Sequence, residues 1–108
     1  MSYFIELLRA IWNFIKKIVV KIINFVNNII NFFRNPQILN KLKEDRDLIA
    51  ISIKENLDNG QFNVVNCLYD KVLEDIVEVE TDAIGIEAEK LDKETKQRFG
   101  NKDMIVLS

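Results

Sequence analysis

Polar residues in the first third of the chain recur at helical intervals. Glu6, Arg9, Asn13, the Lys16–Lys17 pair, Lys21, Asn24, the Asn27–Asn28 pair, Asn31 and the Arg34–Asn35 pair follow one another at steps of three or four. The mean step is close to the 3.6 residues of an α-helical turn. Nearly everything between them is apolar. Phe4, Ile5, Leu8, Ile11, Trp12, Ile15 and Ile18 begin a broad apolar face, and Val19, Ile22, Phe25, Val26, Ile29, Ile30 and Phe33 continue it. The pattern predicts one long amphipathic helix over residues 3–34, with a narrow stripe of Arg9, Asn13, Lys16, Lys17, Lys21, Asn24, Asn27, Asn28 and Asn31. Pro36 sets its end, because the residue before proline is pushed out of the helical region. Many of these residues are β-branched or aromatic and only mediocre helix formers, so such a helix depends on burial of its apolar face.

Beyond Pro36 the pattern predicts a second, broken helix over residues 37–57, with Asp58-Asn59-Gly60 as a cap or turn. Residues 62–80 read as a hairpin, with Phe62–Tyr69 as one strand and Ile76–Glu80 as the other. Residues 83–89 fit either a strand or a helix. Asp92–Phe99 reads as a short helix with Asp92 as N-cap and Gly100 just past its end. Met104–Leu107 reads as a strand buried on both faces. The expected fold class is α+β: a long N-terminal amphipathic α-helix, then a second helix and a small, mainly antiparallel sheet with one short helix. Two parts are expected. Residues 1–35 form a helical arm embedded in a membrane or an assembly, and residues 36–108 form a small acidic α+β domain.

Charge sharpens this division. In residues 1–36, Arg9, Lys16, Lys17, Lys21 and Arg34 stand against Glu6 alone, a net of +4. Residues 37–108 carry ten Lys and Arg against sixteen Asp and Glu, a net of −6. The overall −2 therefore conceals a basic, apolar end and an acidic end. A helix over residues 3–34 is roughly 48 Å long, more than a 70-residue domain can cover. Its apolar face would need lipid, further copies of the chain, or another protein.

The chemistry that can be read is sparse. The chain has no histidine, which removes the commonest general base and metal ligand. Its single cysteine, Cys67, forms no internal disulfide and sits in an apolar strand, where it reads as a small hydrophobe. Ser52 and Ser108 have no base near them in sequence. Three glycines exclude a glycine-rich phosphate loop. Glu78, Glu80, Asp82, Glu87 and Glu89 read as a solvated acidic face rather than a cation site. No stretch of 18 or more apolar residues marks an ordinary transmembrane helix, and neither a signal peptide nor a myristoylation start is recognised.

The expected function is therefore non-enzymatic. The chain reads as a small membrane-associated, self-associating protein, its helix embedded and its acidic domain in the cytoplasm, as basic residues near the arm favour. The partners expected are membrane lipid, anionic by preference, and copies of itself. The alternative is a soluble structural subunit of a larger protein assembly, such as a phage, injection-machine or filament component. No cofactor, metal or catalytic residue is expected, and the acidic charge of residues 37–108 disfavours nucleic acid.

Overall fold

Strand pairing organises the molecule. The computed structural model describes residues 2–107, so Ser108 lies outside the described residues. In chain order the elements are α1 (Tyr3–Ile11), β1 (Lys16–Ile23), α2 (Asn31–Phe33), α3 (Pro36–Glu44), β2 (Leu48–Asn56), β3 (Phe62–Asp70), β4 (Asp75–Val77), β5 (Ile84–Leu91), α4 (Lys93–Phe99) and β6 (Met104–Val106). A 3-10 turn, Trp12–Phe14, follows α1, and a π-helical turn, Phe25–Ile30, precedes α2. The six strands form one sheet in the order β1-β5-β3-β2-β6, with β4 paired to the far end of β3. β1 runs parallel to β5, and the other pairs are antiparallel.

The long N-terminal helix and the small sheet of the sequence expectation are both corrected here. Helix ends at Ile11, and Lys16–Ile23 is a strand of a sheet that dominates the fold. The molecule spans 38 Å along its longest axis, so a straight helix over residues 3–34 would outreach it. The physical reason lies in Ile15, Ile18, Val19, Val20, Ile22 and Ile23. Branching at Cβ restricts χ1 in a helix and suits a pleated strand. The expected second helix is corrected as well. α3 stops at Glu44, and residues 48–56 form β2, whose Ile49, Ile51 and Ile53 alternate at the strand period.

Both faces of the sheet are covered. On one, Ala50, Val64, Leu68, Ile86 and Ala88 pack against Phe25, Ile29, Phe33, Ile38 and Phe99 from the helical segments. On the other, Ile51, Ile53, Val65 and Cys67 pack against Ile5 and Leu8 of α1 and against Ile15. β2 and β3, between these layers, read as near-continuous buried runs. Asn66 is fully buried but satisfied: its Oδ1 accepts from Ser52 Oγ at 2.9 Å, and its Nδ2 donates to the Asn28 carbonyl at 2.9 Å.

Local signals place the remaining elements. Asn35 caps α3, accepting from Gln37 N at 2.9 Å, and Pro36 takes the first turn, where its missing N–H costs nothing. Asp92 caps α4, accepting from Thr95 N at 2.9 Å. Residues 57–61 turn β2 into β3, with Gly60 at φ +84°. Residues 83–89 lie in β5 and its approach. β6 is an edge strand rather than one buried on both faces, and its Val106 is exposed.

Candidate functional site

The strand path from β1 to β6 ends in two edge strands, and they differ. At one, β6 is three residues long. At the other, β1 is eight residues long, contains no proline, and among the described residues pairs only with β5. A strand in this position turns alternate N–H and C=O groups away from the sheet, a ready template for another strand.

Register with β5 assigns the side chains of β1 to faces. Ile18 lies beside Ile86 and Val20 beside Ala88, both on the face that packs against Phe25 and Phe99. Lys17 lies beside Gly85 and Val19 beside Glu87, on the α1 face. The helical segments do not reach the outer rim. Val19 is 77% exposed, Ile22 49% and Ile18 38%. Phe14, just before the strand, and Val26, just after it, are also exposed. Among the described residues, five of the ten exposed large hydrophobic side chains thus lie within residues 14–26, a concentration that single scattered exposures do not produce.

The strand is held at both ends. Near its start, Lys17 Nζ donates to the Trp12 carbonyl at 2.8 Å and sits 5.6 Å from the Trp12 ring centroid. At its end, the Ile23 carbonyl accepts from Asp92 N at 2.9 Å. The edge is therefore built rather than frayed.

The residues expected to share one helical face are divided. Ile5, Leu8 and Ile15 are buried under the sheet on the α1 side, where Phe4, Ile11 and Trp12 pack against them. Phe25, Ile29 and Phe33 are buried on the opposite side, with Ile30 beside them. Ile18, Val19, Ile22 and Val26 remain outside. The expected polar stripe also separates. Arg9 pairs with Glu55 at 2.6 Å. Lys16, Lys17 and Lys21 fall on β1. Asn24 and Asn28 brace the π-helical turn: Asn24 Oδ1 accepts from Asn27 N at 2.9 Å, and Asn28 Oδ1 accepts from Asn24 N at 2.7 Å. Asn13, Asn27 and Asn31 are exposed.

Of the acidic series, Asp82 is fully buried, taking Lys41 in an ion pair and Gln37 Nε2 in a hydrogen bond at 3.2 Å. Among the described residues, no group of three or more Cys, Asp or Glu is placed to hold a metal ion, and no helix is long and apolar enough to cross a membrane. Cys67 is fully buried, and burial pushes its thiol pKa up.

A second feature was not read from the sequence. Lys54 on β2 is 7% exposed and stands between Phe62 and Phe99 at one end of the sheet, its Nζ 5.9 Å and 5.7 Å from their ring centroids. Its place in the continuous apolar pattern of β2 was the available signal. No family model, curated protein or solved structure matches the chain.

Proposed function

We propose that this is a non-enzymatic, self-associating protein whose copies join edge to edge through β1, extending one six-stranded sheet into a second. The observation that carries this reading is the free β1 edge with Ile18, Val19 and Ile22 exposed along it. A strand added at such an edge gains main-chain hydrogen bonds, and alternate side chains set its specificity.

The lysines bear directly on a second copy as the partner. Lysine on an edge ordinarily discourages pairing, and like charges directly opposite are destabilising. Two copies related by a two-fold axis perpendicular to the sheet pair antiparallel. Centring that axis on Val19 opposes Lys17 with Lys21, and centring it on Lys21 opposes that lysine with itself. Centring it on Ile18 engages only residues 16–20 of the strand. Centring it on Val20 engages residues 17–23 and sets Ile18 against Ile22 and Val19 against Lys21, with no two lysines opposed. The lysines thus select a register instead of forbidding the contact. On the helical-segment face, Ile18 and Val20 of both copies would form one apolar patch around the axis. Such a contact is closed and self-complementary, as most homodimer contacts are.

Mass measurement by light scattering across a concentration series tests the proposal. The wild type is expected to approach twice 12.6 kDa. Val19→Lys puts lysine opposite Lys21 twice per contact at a well-exposed position and is expected to return the monomer without loss of fold. Val20→Cys is expected to cross-link across the axis on mild oxidation, because facing strand positions fall within disulfide range. A wild type that is monomeric at all concentrations overturns edge pairing. Monomers that bind anionic but not neutral vesicles would move the reading to a lipid surface, with Lys16, Lys17 and Lys21 as the headgroup contacts.

A further inference from the structure

The end of the sheet where β2 turns into β3 carries a cavity of about 370 Å³. Its walls come from β2, the following turn, the first residue of β3, the end of β5 and α4. Leu57, Phe62, Leu91 and Phe99 give it an apolar body, and Asn56 and Gln61 give it amides. Gly60, at φ +84°, and Gly100, at φ +55°, stand at its rim, and nothing lies within 4 Å of where a Cβ would project from either. The size falls within the range of small-molecule sites.

The charge of this lining runs against its surroundings. Residues 37–108 carry a net −6, yet the cavity is lined by Lys54 and Lys96 and by no aspartate or glutamate. Lys54 is the unusual one. A lysine is almost never this buried unless paired, and among the described residues Lys54 has no carboxylate within ion-pair distance. One of its three donors goes to Asn56 Oδ1 at 3.0 Å. The other two have no protein oxygen partner among the described residues, and the rings of Phe62 and Phe99 offer them only cation–π contact. Burial pulls the Lys54 pKa below the ordinary lysine range, and the field of Asp103 opposes part of that fall. An anion brought into the cavity would supply the charge partner the ammonium lacks.

We infer that this cavity binds a small monocarboxylate with an apolar body, its carboxylate on Lys54 and its hydrocarbon against Leu57, Phe62, Leu91 and Phe99. Lys96, exposed at the mouth, adds attraction for the anion. The arrangement meets the two demands of such a ligand. It removes apolar surface from water, and it offers a preformed cation with unfilled donors in a poorly solvated place.

Titration of the full-length protein with octanoate, octanol and octylammonium tests this, followed by backbone amide NMR shifts and by calorimetry. Octanoate is expected to bind at least tenfold more tightly than either neutral or cationic analogue, with its largest shifts at Gly60, Phe99 and Gly100. Lys54→Met is expected to lower octanoate affinity at least tenfold while leaving that of octanol unchanged. Should Lys54→Met fail to fold, Lys96→Glu at an exposed position serves instead, with an expected several-fold loss for octanoate alone. Equal affinity for octanoate and octanol, or shifts that avoid the cavity, would overturn the inference.

Discussion

Asp92 Oδ2 accepts the backbone N–H of Phe25 at 3.0 Å, joining residues 67 apart in sequence. The same carboxylate caps α4 through Thr95 N and takes the Thr95 hydroxyl. One side chain thus fixes where β1 gives way to the π-helical turn and where α4 begins. Burial alone would raise its pKa. Hydrogen bonds from the Thr95 hydroxyl and from the Phe25 and Thr95 amides outweigh that and hold it below the ordinary aspartate value.

Asp92→Ala is therefore expected to destabilise the fold by about 2–5 kcal/mol. That combines the loss of a cap, about 1–2 kcal/mol, with an amide left unpaired, about 1–3 kcal/mol. Because the folded pKa is depressed, the stabilisation is fully present above the unfolded value of about 3.9 and is lost as pH falls through the folded one. Asp92→Asn keeps an acceptor that does not titrate. Urea unfolding below about pH 4 should bring wild type and Asp92→Asn closer together than at pH 7, and an unchanging gap would count against this account.

Gly85 of β5 lies closely under the side chains of Trp12, Ile15 and Lys17. A Cβ there would stand 2.9 Å from Trp12 Cζ3, 3.0 Å from Ile15 Cδ1 and 3.1 Å from Lys17 Cγ. Gly85→Ala is expected to cost about 1–3 kcal/mol by overpacking, and Gly85→Val more. Trp12 is the only tryptophan, so its emission should shift in the same variants. An unmoved melting temperature would show that the indole yields freely.

A chain starting at Gln37 tests the expected division at residue 36. It would lack Ile23, Phe25, Ile29 and Phe33, which share one buried cluster with Ala50, Val64 and Leu68. At roughly 1.5–3 kcal/mol for each buried side chain, the loss rivals the 5–15 kcal/mol that holds a typical domain. The shortened chain is expected to be unfolded by circular dichroism. A cooperative thermal transition in it would instead favour a self-sufficient 36–108 unit.

Much of the C-terminal half was legible because its signals are local. Asp92 and Gly100 bracket α4, Asn59-Gly60 marks a turn, and Phe62–Tyr69 is rich in the apolar and aromatic residues that favour strands. The N-terminal third was not. Its lysines and asparagines keep helical spacing, but residues 17, 19, 21 and 18, 20, 22 also separate into Lys-Val-Lys and Ile-Val-Ile. That strand period is short and was masked by the longer rhythm around it. What decides between the two is β5, a partner more than sixty residues away that no local pattern contains. Lys54 was missed for a related reason. Its chemistry depends on Phe62 and Phe99, which only the tertiary fold brings to it.

The pairing of β1 with β5 also orders events in time. Lys16 lies beside Ile84 and Ile23 beside Leu91, so β1 is made more than sixty residues before the strand it pairs with. Non-local pairings of this kind fold slowly, since a long loop must close before any contact rewards it. Until β5 has been made, Ile18, Val19, Val20 and Ile22 lack the strand they pair with. The lysines among them then act as solubilising gatekeepers on a nascent chain, flanking an apolar run during the interval when it is most prone to aggregate.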